Sequence, residues 1–219
     1  THARELERFS GIGPHTFSVP RLHPASGSEI SRQTPSPFSD DDFIHALTVL
    51  RLAVPYTGLI LTARETRELR DRCLDLGVTQ MDASTRIGVG AYAESSVGQE
   101  IDKQQFLLGD NRTLEQLICD LARRGTITSF CTAGYRCGRT GKCIMDLLRS
   151  GQEGKFCKLN AILTFREWLD DFASEETRQA GEAVIASEIE EVRRQMPKVF
   201  EQFIAGYEKV KNGTRDLYF

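Results

Sequence analysis

The sequence predicts a mixed α/β fold in two parts: a small parallel sheet with its helices, then a mostly α-helical, cysteine-bearing domain. Three observations carry that expectation. Between residues 15 and 81, short apolar runs alternate with amphipathic helical stretches, the strand–helix–strand order that yields parallel pairing. From about Gly98 the strand signals stop and helical periodicity takes over. Cys131, Cys137, Cys143 and Cys157 all fall in that second part. The boundary is therefore expected between a first domain, 1–97, and a second, 98–219.

His2 to Phe9 reads as a helix, which Gly11 and Gly13-Pro14 break. His15 to Val19 alternates apolar and polar residues like a strand. Pro20 to Pro37, rich in Pro, Ser and Gly, reads as a loop. Ser39 and the acidic residues after it cap a helix with Phe43, Leu47, Leu50 and Val54 at helical spacing. Leu59-Ile60-Leu61 is a short apolar run suited to a strand buried on both faces. Thr66 to Leu76 is an amphipathic helix stopped by Gly77, and Val78 to Met81 is the third strand. Three strands are too few to close a (βα)8 barrel, so a barrel fragment with a missing half is expected. Further on, Thr113 to Arg124, Ile144 to Leu148, Thr164 to Phe172, Glu182 to Gln195 and Lys198 to Val210 read as helices.

The 219 residues are 40% hydrophobic and 27% charged, as in a globular chain. A net charge of -3 argues against a general nucleic-acid binder. The most apolar segment, Ala46 to Leu61, contains Arg51 and Pro55, so no membrane span is expected. The opening residues do not read as a signal peptide. Thr1 stands where a helix already begins, as if partway through a longer protein. Reduced cysteines in a cytoplasmic protein are the expectation, favouring metal ligation or redox chemistry over disulfides.

The tail cysteines are spaced 131-x5-137-x5-143-x13-157, with Gly134, Gly138 and Gly141 and basic residues between them. Thiolates are soft ligands for iron and zinc. No C-x2-4-C zinc knuckle is present among these four, and iron–sulfur ligand spacing is more varied. The bland alternative is buried, unligated thiols. That reading is preferred for Cys73 and Cys119, which lie on apolar helix faces. Arg21, Arg64 and Arg86 sit at or just after strand ends, where barrels carry their active sites. A guanidinium fork there suits a carboxylate. A surface ion pair, for instance of Arg64 with Glu65, is the alternative. His15 is expected to be structural, and His23 lies in the loop after Arg21. No P-loop, G-x-S-x-G or G-x-G-x-x-G is present.

The segments Gly13-Pro14-His15-Thr16-Phe17-Ser18-Val19-Pro20-Arg21-Leu22, Ala53-Val54-Pro55-Tyr56-Thr57-Gly58, Thr62-Ala63-Arg64-Glu65-Thr66 and Ser129-Phe130-Cys131-Thr132-Ala133 occur in order. Gly138-Arg139-Thr140-Gly141, Asn160-Ala161-Ile162-Leu163-Thr164-Phe165 and Gly213-Thr214-Arg215-Asp216 follow them. Together they resemble the C-terminal half of the radical-SAM tyrosine lyases, nearest the branch that matures the [FeFe]-hydrogenase cluster. The 2-iminoacetate synthases of thiamine biosynthesis share the barrel part.

The resemblance implies the C-terminal part of a radical-SAM (βα)8 TIM barrel followed by a helical domain. It implies an enzyme that cleaves S-adenosylmethionine at a [4Fe-4S] cluster and breaks tyrosine at Cα–Cβ, giving p-cresol and dehydroglycine. In the hydrogenase-maturing branch a second, tail [4Fe-4S] cluster serves carbon monoxide and cyanide formation. Thr62 and Arg64 fall at tyrosine-site positions, with Arg21 and Arg86 as further pocket charges. Cys131, Cys137 and Cys157 are the expected tail ligands, with Cys143 in reserve. Two departures stand out. The C-x3-C-x2-C motif is absent, so S-adenosylmethionine and its cluster are expected in an N-terminal half, covalent or on another chain, and this chain alone should be inactive. Gly134 replaces the middle cysteine of the tail motif. The alternatives are a cluster- or zinc-binding subunit of a split enzyme, or a thiamine-type enzyme making no carbon monoxide or cyanide.

Overall fold

Three short strands pair in chain order in the computed structural model, which describes every residue except 26, 94–98, 100–103 and 131–134. Strand β1 (Thr16–Ser18) lies parallel to β2 (Gly58–Leu61), and β2 lies parallel to β3 (Gln80–Met81). Phe17 stands opposite Leu59, and Leu61 opposite Met81. Parallel neighbours need crossovers, here supplied by helices. After α1 (His2–Ser10), the stretch expected as loop contains one helical turn, α2 (Glu29–Arg32). Helix α3 (Asp40–Ala53) then links β1 to β2, and α4 (Arg67–Cys73) links β2 to β3.

Both crossover helices start where the sequence says they should. The Ser39 hydroxyl accepts from the Asp42 amide at 3.1 Å while the Asp42 carboxylate accepts from the Ser39 amide at 3.0 Å. This reciprocal cap satisfies two donors that a helix start otherwise leaves unpaired. Thr66 caps α4 from one side only, its hydroxyl accepting from the Leu69 amide. A 3-10 turn, Leu74–Leu76, ends at Gly77, whose φ of 82° is the left-handed conformation glycine adopts without a Cβ clash.

The sheet has two unlike faces because side chains alternate along a strand. Leu59 and Leu61 point to one side, into a cluster with Phe43, Leu47, Leu69 and Cys73, against which Phe17, Val19 and Met81 pack. Each fully buried leucine or phenylalanine there contributes about 1.5–3 kcal/mol. By alternation Thr16, Ser18, Ile60 and Gln80 lie on the opposite face, and Thr62 and Asp82 extend it beyond the strand ends. Among the described residues this is an open three-stranded sheet, not a closed barrel.

The remaining helices are α5 (Leu114–Arg123), α6 (Gly141–Ser150), α7 (Gly154–Phe172), α8 (Glu175–Gln195) and α9 (Pro197–Lys211). Helices α7 and α8 begin well before the Thr164 and Glu182 starts that periodicity alone suggests. For α8 the reason is Ser174, whose hydroxyl accepts from the Thr177 amide, followed by Glu175 and Glu176 in the first turn. For α7, Leu159 and Ile162 carry the core-facing stripe back toward Gly154. Ile162, Leu163, Phe165, Leu169, Val192, Phe203 and Val210 form the dry centre of this helical core. Gly181 lies so close to the Leu169 side chain that a Cβ would meet it at 2.6 Å.

The chain divides into two compact units, Thr1–Phe9 with Gly13–Thr113 and Ser10–Ile12 with Leu114–Phe219. No helix among the described residues is long and apolar enough to cross a membrane.

Candidate functional site

At the C-terminal end of β2 the chain presents Thr62 and then Arg64. The Thr62 Oγ1 is buried with no hydrogen-bond partner among the described residues. A hydroxyl in that state costs free energy unless something completes it. Arg64 is half-buried. Its guanidinium carbon lies 4.0 Å from the centre of the Phe106 ring, and no acid among the described residues pairs with it. The expected alternative, an Arg64–Glu65 ion pair, does not form.

Glu65 pairs instead with Arg21. It is wholly buried, and Arg21 reaches it through Nε at 2.9 Å and through a second, shorter bond. Arg21 also donates to Asp40 at 2.8 Å and to the Phe38 carbonyl at 3.1 Å. Burial opposes the Arg21 charge, but the bonds and charges of Glu65 and Asp40 more than offset it and raise its pKa above the ordinary arginine value. Arg21 is thus a tie between the β1 end, the β2 end and the start of α3. The other Glu65 oxygen, Oε1, is 3.7 Å from His23 Nε2, and both atoms are buried without a hydrogen-bond partner.

Arg86 lies past the end of β3. It donates to the Ala91 carbonyl at 3.0 Å, and its backbone amide donates to the Tyr92 hydroxyl at 3.3 Å. With Ser84, Thr85, Gln104 and Asn111 it lines a shallow polar cleft. Ser84 has a φ of 54°, a left-handed backbone that costs a non-glycine residue about 1–2 kcal/mol.

A buried charge network that the sequence reading missed sits beside this region. Arg70, 1% exposed, donates to Asp110 at 2.5 Å and to the Asp82 carbonyl at 2.5 Å. Arg112 forks onto the same Asp110 carboxylate and reaches Asp71 at 3.2 Å. Burial alone would raise the Asp110 carboxyl. Hydrogen bonds from Arg112 and the charges of Arg70 and Arg112 win and hold it below the usual aspartate value. The only sequence signal was the polar run Gly109-Asp110-Asn111-Arg112, which resembles a surface turn.

Gly109 explains why this run lies against the strand end. A Cβ there would meet the Arg64 and Glu65 backbone at 2.6–2.7 Å. The Gly109 and Asp110 amides both donate to the Ala63 carbonyl, at 2.9 and 3.1 Å.

In the tail, Cys137, Cys143 and Cys157 are exposed. Cys143 lies in the first turn of α6 and Cys157 in the first turn of α7. Cys137 Sγ is 3.7 Å from the Phe219 carbonyl, which Arg139 also reaches at 2.7 Å while stacking on Phe156. Cys131 and Gly134 lie outside the described residues. Among the described residues no three His, Cys, Asp or Glu side chains converge on a metal-sized site. Cys137, Cys143 and Cys157 therefore do not by themselves fit an iron–sulfur cluster, which needs a converging set. Cys73 and Cys119 are buried, as expected. Burial, with help from Glu65, pushes the Cys73 thiol up to about 11.

Residues 18–127 fit the model of the biotin and thiamin synthesis associated domain, and the chain belongs to that family. Among solved structures it is similar to HydG, a maturase of the [FeFe]-hydrogenase, with a TM-score of 0.89 and 41% identity over 100% of this chain and 46% of that one. It is also similar to HydG from Carboxydothermus hydrogenoformans, with a TM-score of 0.70 and 35% identity over 96% of this chain and 42% of that one. The 2-iminoacetate synthase of Escherichia coli (strain K12) is 25% identical over 124 residues, 57% of this chain and 31% of the relative. The chain thus spans under half the length of these relatives. The resemblance drawn from its motifs, to the C-terminal half of the radical-SAM tyrosine lyases, agrees with all of them.

Proposed function

We propose that this chain is the substrate-side, C-terminal portion of a radical-SAM lyase that cleaves tyrosine at Cα–Cβ to p-cresol and dehydroglycine, in the service of [FeFe]-hydrogenase cofactor assembly. In this reading the sheet is the last part of a (βα)8 barrel whose other half carries S-adenosylmethionine and its [4Fe-4S] cluster. One observation carries the reading: just past the end of β2 the chain offers an arginine with no acidic partner and a buried threonine hydroxyl with no hydrogen-bond partner among the described residues. Arg64 binds the tyrosine carboxylate through its fork. Thr62 adds a hydrogen bond and fixes the Cα end of the substrate. Arg21 does not contact substrate; it holds Glu65, and with it the turn that carries Arg64. Arg86 borders the site from the β3 end.

No C-x3-C-x2-C set is present in the sequence, so these residues hold no S-adenosylmethionine-cleaving cluster and no step through one is assigned to them. Their share of the chemistry is binding and orientation.

In the full-length protein, Arg64→Ala should weaken tyrosine binding about 10- to 100-fold, the loss of a charged hydrogen-bonded pair. Unchanged tyrosine affinity, measured by calorimetry, would sink the assignment.

A second reading has its own support. Gly134 replaces a motif cysteine, and the described tail thiols do not converge. Both favour an enzyme of the 2-iminoacetate synthase type, without carbon monoxide or cyanide production. Iron, sulfide and zinc per chain after anaerobic reconstitution separate the two. About four irons beyond the S-adenosylmethionine-binding cluster support the maturase reading, and none supports the thiamine-type one.

A further inference from the structure

We infer that Phe106 is a positioning residue for ligand binding: its ring holds the Arg64 guanidinium in the orientation that receives a carboxylate. This rests on the amino-acid reading of the site above and deepens it.

The argument begins with what Arg64 lacks. An arginine side chain without a partner samples many rotamers, and ordering it costs free energy at the moment of binding. Arg21, Arg70 and Arg112 are each fixed by carboxylates. Arg64 has no such anchor among the described residues, yet its guanidinium lies 4.0 Å from the Phe106 ring centre. Stacking on an aromatic face fixes the guanidinium plane while consuming none of its five N–H donors. An acidic anchor would instead have occupied the fork. A ring is therefore the one kind of support that orients the cation and leaves its in-plane edge free for a carboxylate.

The fold fixes the ring in turn. Phe106 is 9% exposed and forms an antiparallel bridge with Ala25. Two residues on, the Leu108 backbone is gripped on both sides by the Gln99 amide, its N–H at 2.6 Å and its carbonyl at 3.0 Å. Gly109 and Asp110 then hydrogen-bond to Ala63, the residue before Arg64. Asp110 is locked by Arg70 and Arg112. The strap 106–110 is thus pinned at four places, and the missing Cβ of Gly109 lets it lie directly on the Arg64 and Glu65 backbone. Ring and guanidinium are carried by two segments that the backbone holds in register.

The test is calorimetric binding of L-tyrosine and of tyramine, which lacks the carboxylate, to the full-length protein. Phe106→Leu should weaken L-tyrosine about tenfold and leave tyramine unchanged, while Phe106→Tyr restores tyrosine affinity. Replacing Phe106 with progressively fluorinated phenylalanine keeps the shape and drains the ring face, so tyrosine affinity should fall stepwise. This series also covers failure of the leucine variant to fold. Equal loss of both ligands, or no response to fluorination, overturns the role and makes Phe106 a packing residue. If the unsubstituted protein binds tyrosine and Phe106→Leu has no effect, only this inference falls. If the unsubstituted protein binds no aromatic amino acid, the amino-acid reading falls and takes this inference with it.

Discussion

The strand ends and the cysteine tail were the two chemistry-bearing regions of this chain, and they differ in how their side chains are held. At the strand ends, parallel pairing fixes where β2 stops, so Thr62 and Arg64 are placed by the sheet. A second segment, 106–110, then locks them from outside. In the tail, Cys143 and Cys157 start two different helices and Cys137 lies on neither. Among the described residues these three thiols do not converge. A binding site for a ligand's charge can be built by backbone geometry alone. A cluster site needs several thiolates to converge, and sequence proximity does not supply that.

The largest expected effect breaks the strap. Asp110→Ala leaves Arg70 and Arg112 buried without their shared carboxylate and should destabilise the first unit by about 3–5 kcal/mol. Urea unfolding measures it, and a loss below about 1 kcal/mol, the range of a surface ion pair, would contradict the locked-strap picture. Gly109→Ala is next. Its Cβ would strike backbone, which cannot swing aside, so a loss of about 1–3 kcal/mol is expected, with weaker tyrosine binding because Arg64 shifts. A variant of native stability and affinity would show that the crossing is looser than described.

The smallest effect sharpens the tail side of the comparison. In metal-free protein at neutral pH, Cys137 and Cys143 should alkylate quickly. Cys73 and Cys119 should stay unlabelled until unfolding, Cys73 doubly protected by burial and a raised pKa. Mass spectrometry of the labelled peptides reads this. Protection of Cys137 or Cys143 after iron reconstitution identifies that thiol as a ligand; continued labelling removes it from the candidates.

Much of the fold was legible. The Ser39 and Thr66 caps, the Gly77 stop and the apolar runs of β2 and β3 are local signals, and local structure follows them. The early start of α8 is written in Ser174-Glu175-Glu176, a capping signal that apolar spacing does not carry. Arg64 could be nominated because it follows a strand, and Thr62 only through the family resemblance. That Glu65 would pair with Arg21 rather than with its neighbour Arg64 was not legible, since both lie in the turn after β2 and Arg21 is brought to Glu65 from 44 residues away by the pairing of β1 with β2.

By itself the sequence determined the element order, the parallel sheet, the family resemblance and the set of residues able to do chemistry. All of these depend on interactions within a few residues or on recognisable motifs. Only the tertiary structure decided which charges are spent and which remain available. Arg21 and Arg70 are neutralised by Glu65 and Asp110, which lie near them only after folding, Arg112 adds the distant Asp71 to its near neighbour Asp110, and Arg64 meets a ring instead of a carboxylate. Pairing of that kind is set by long-range packing, because a buried charge takes the partner that the fold brings within reach.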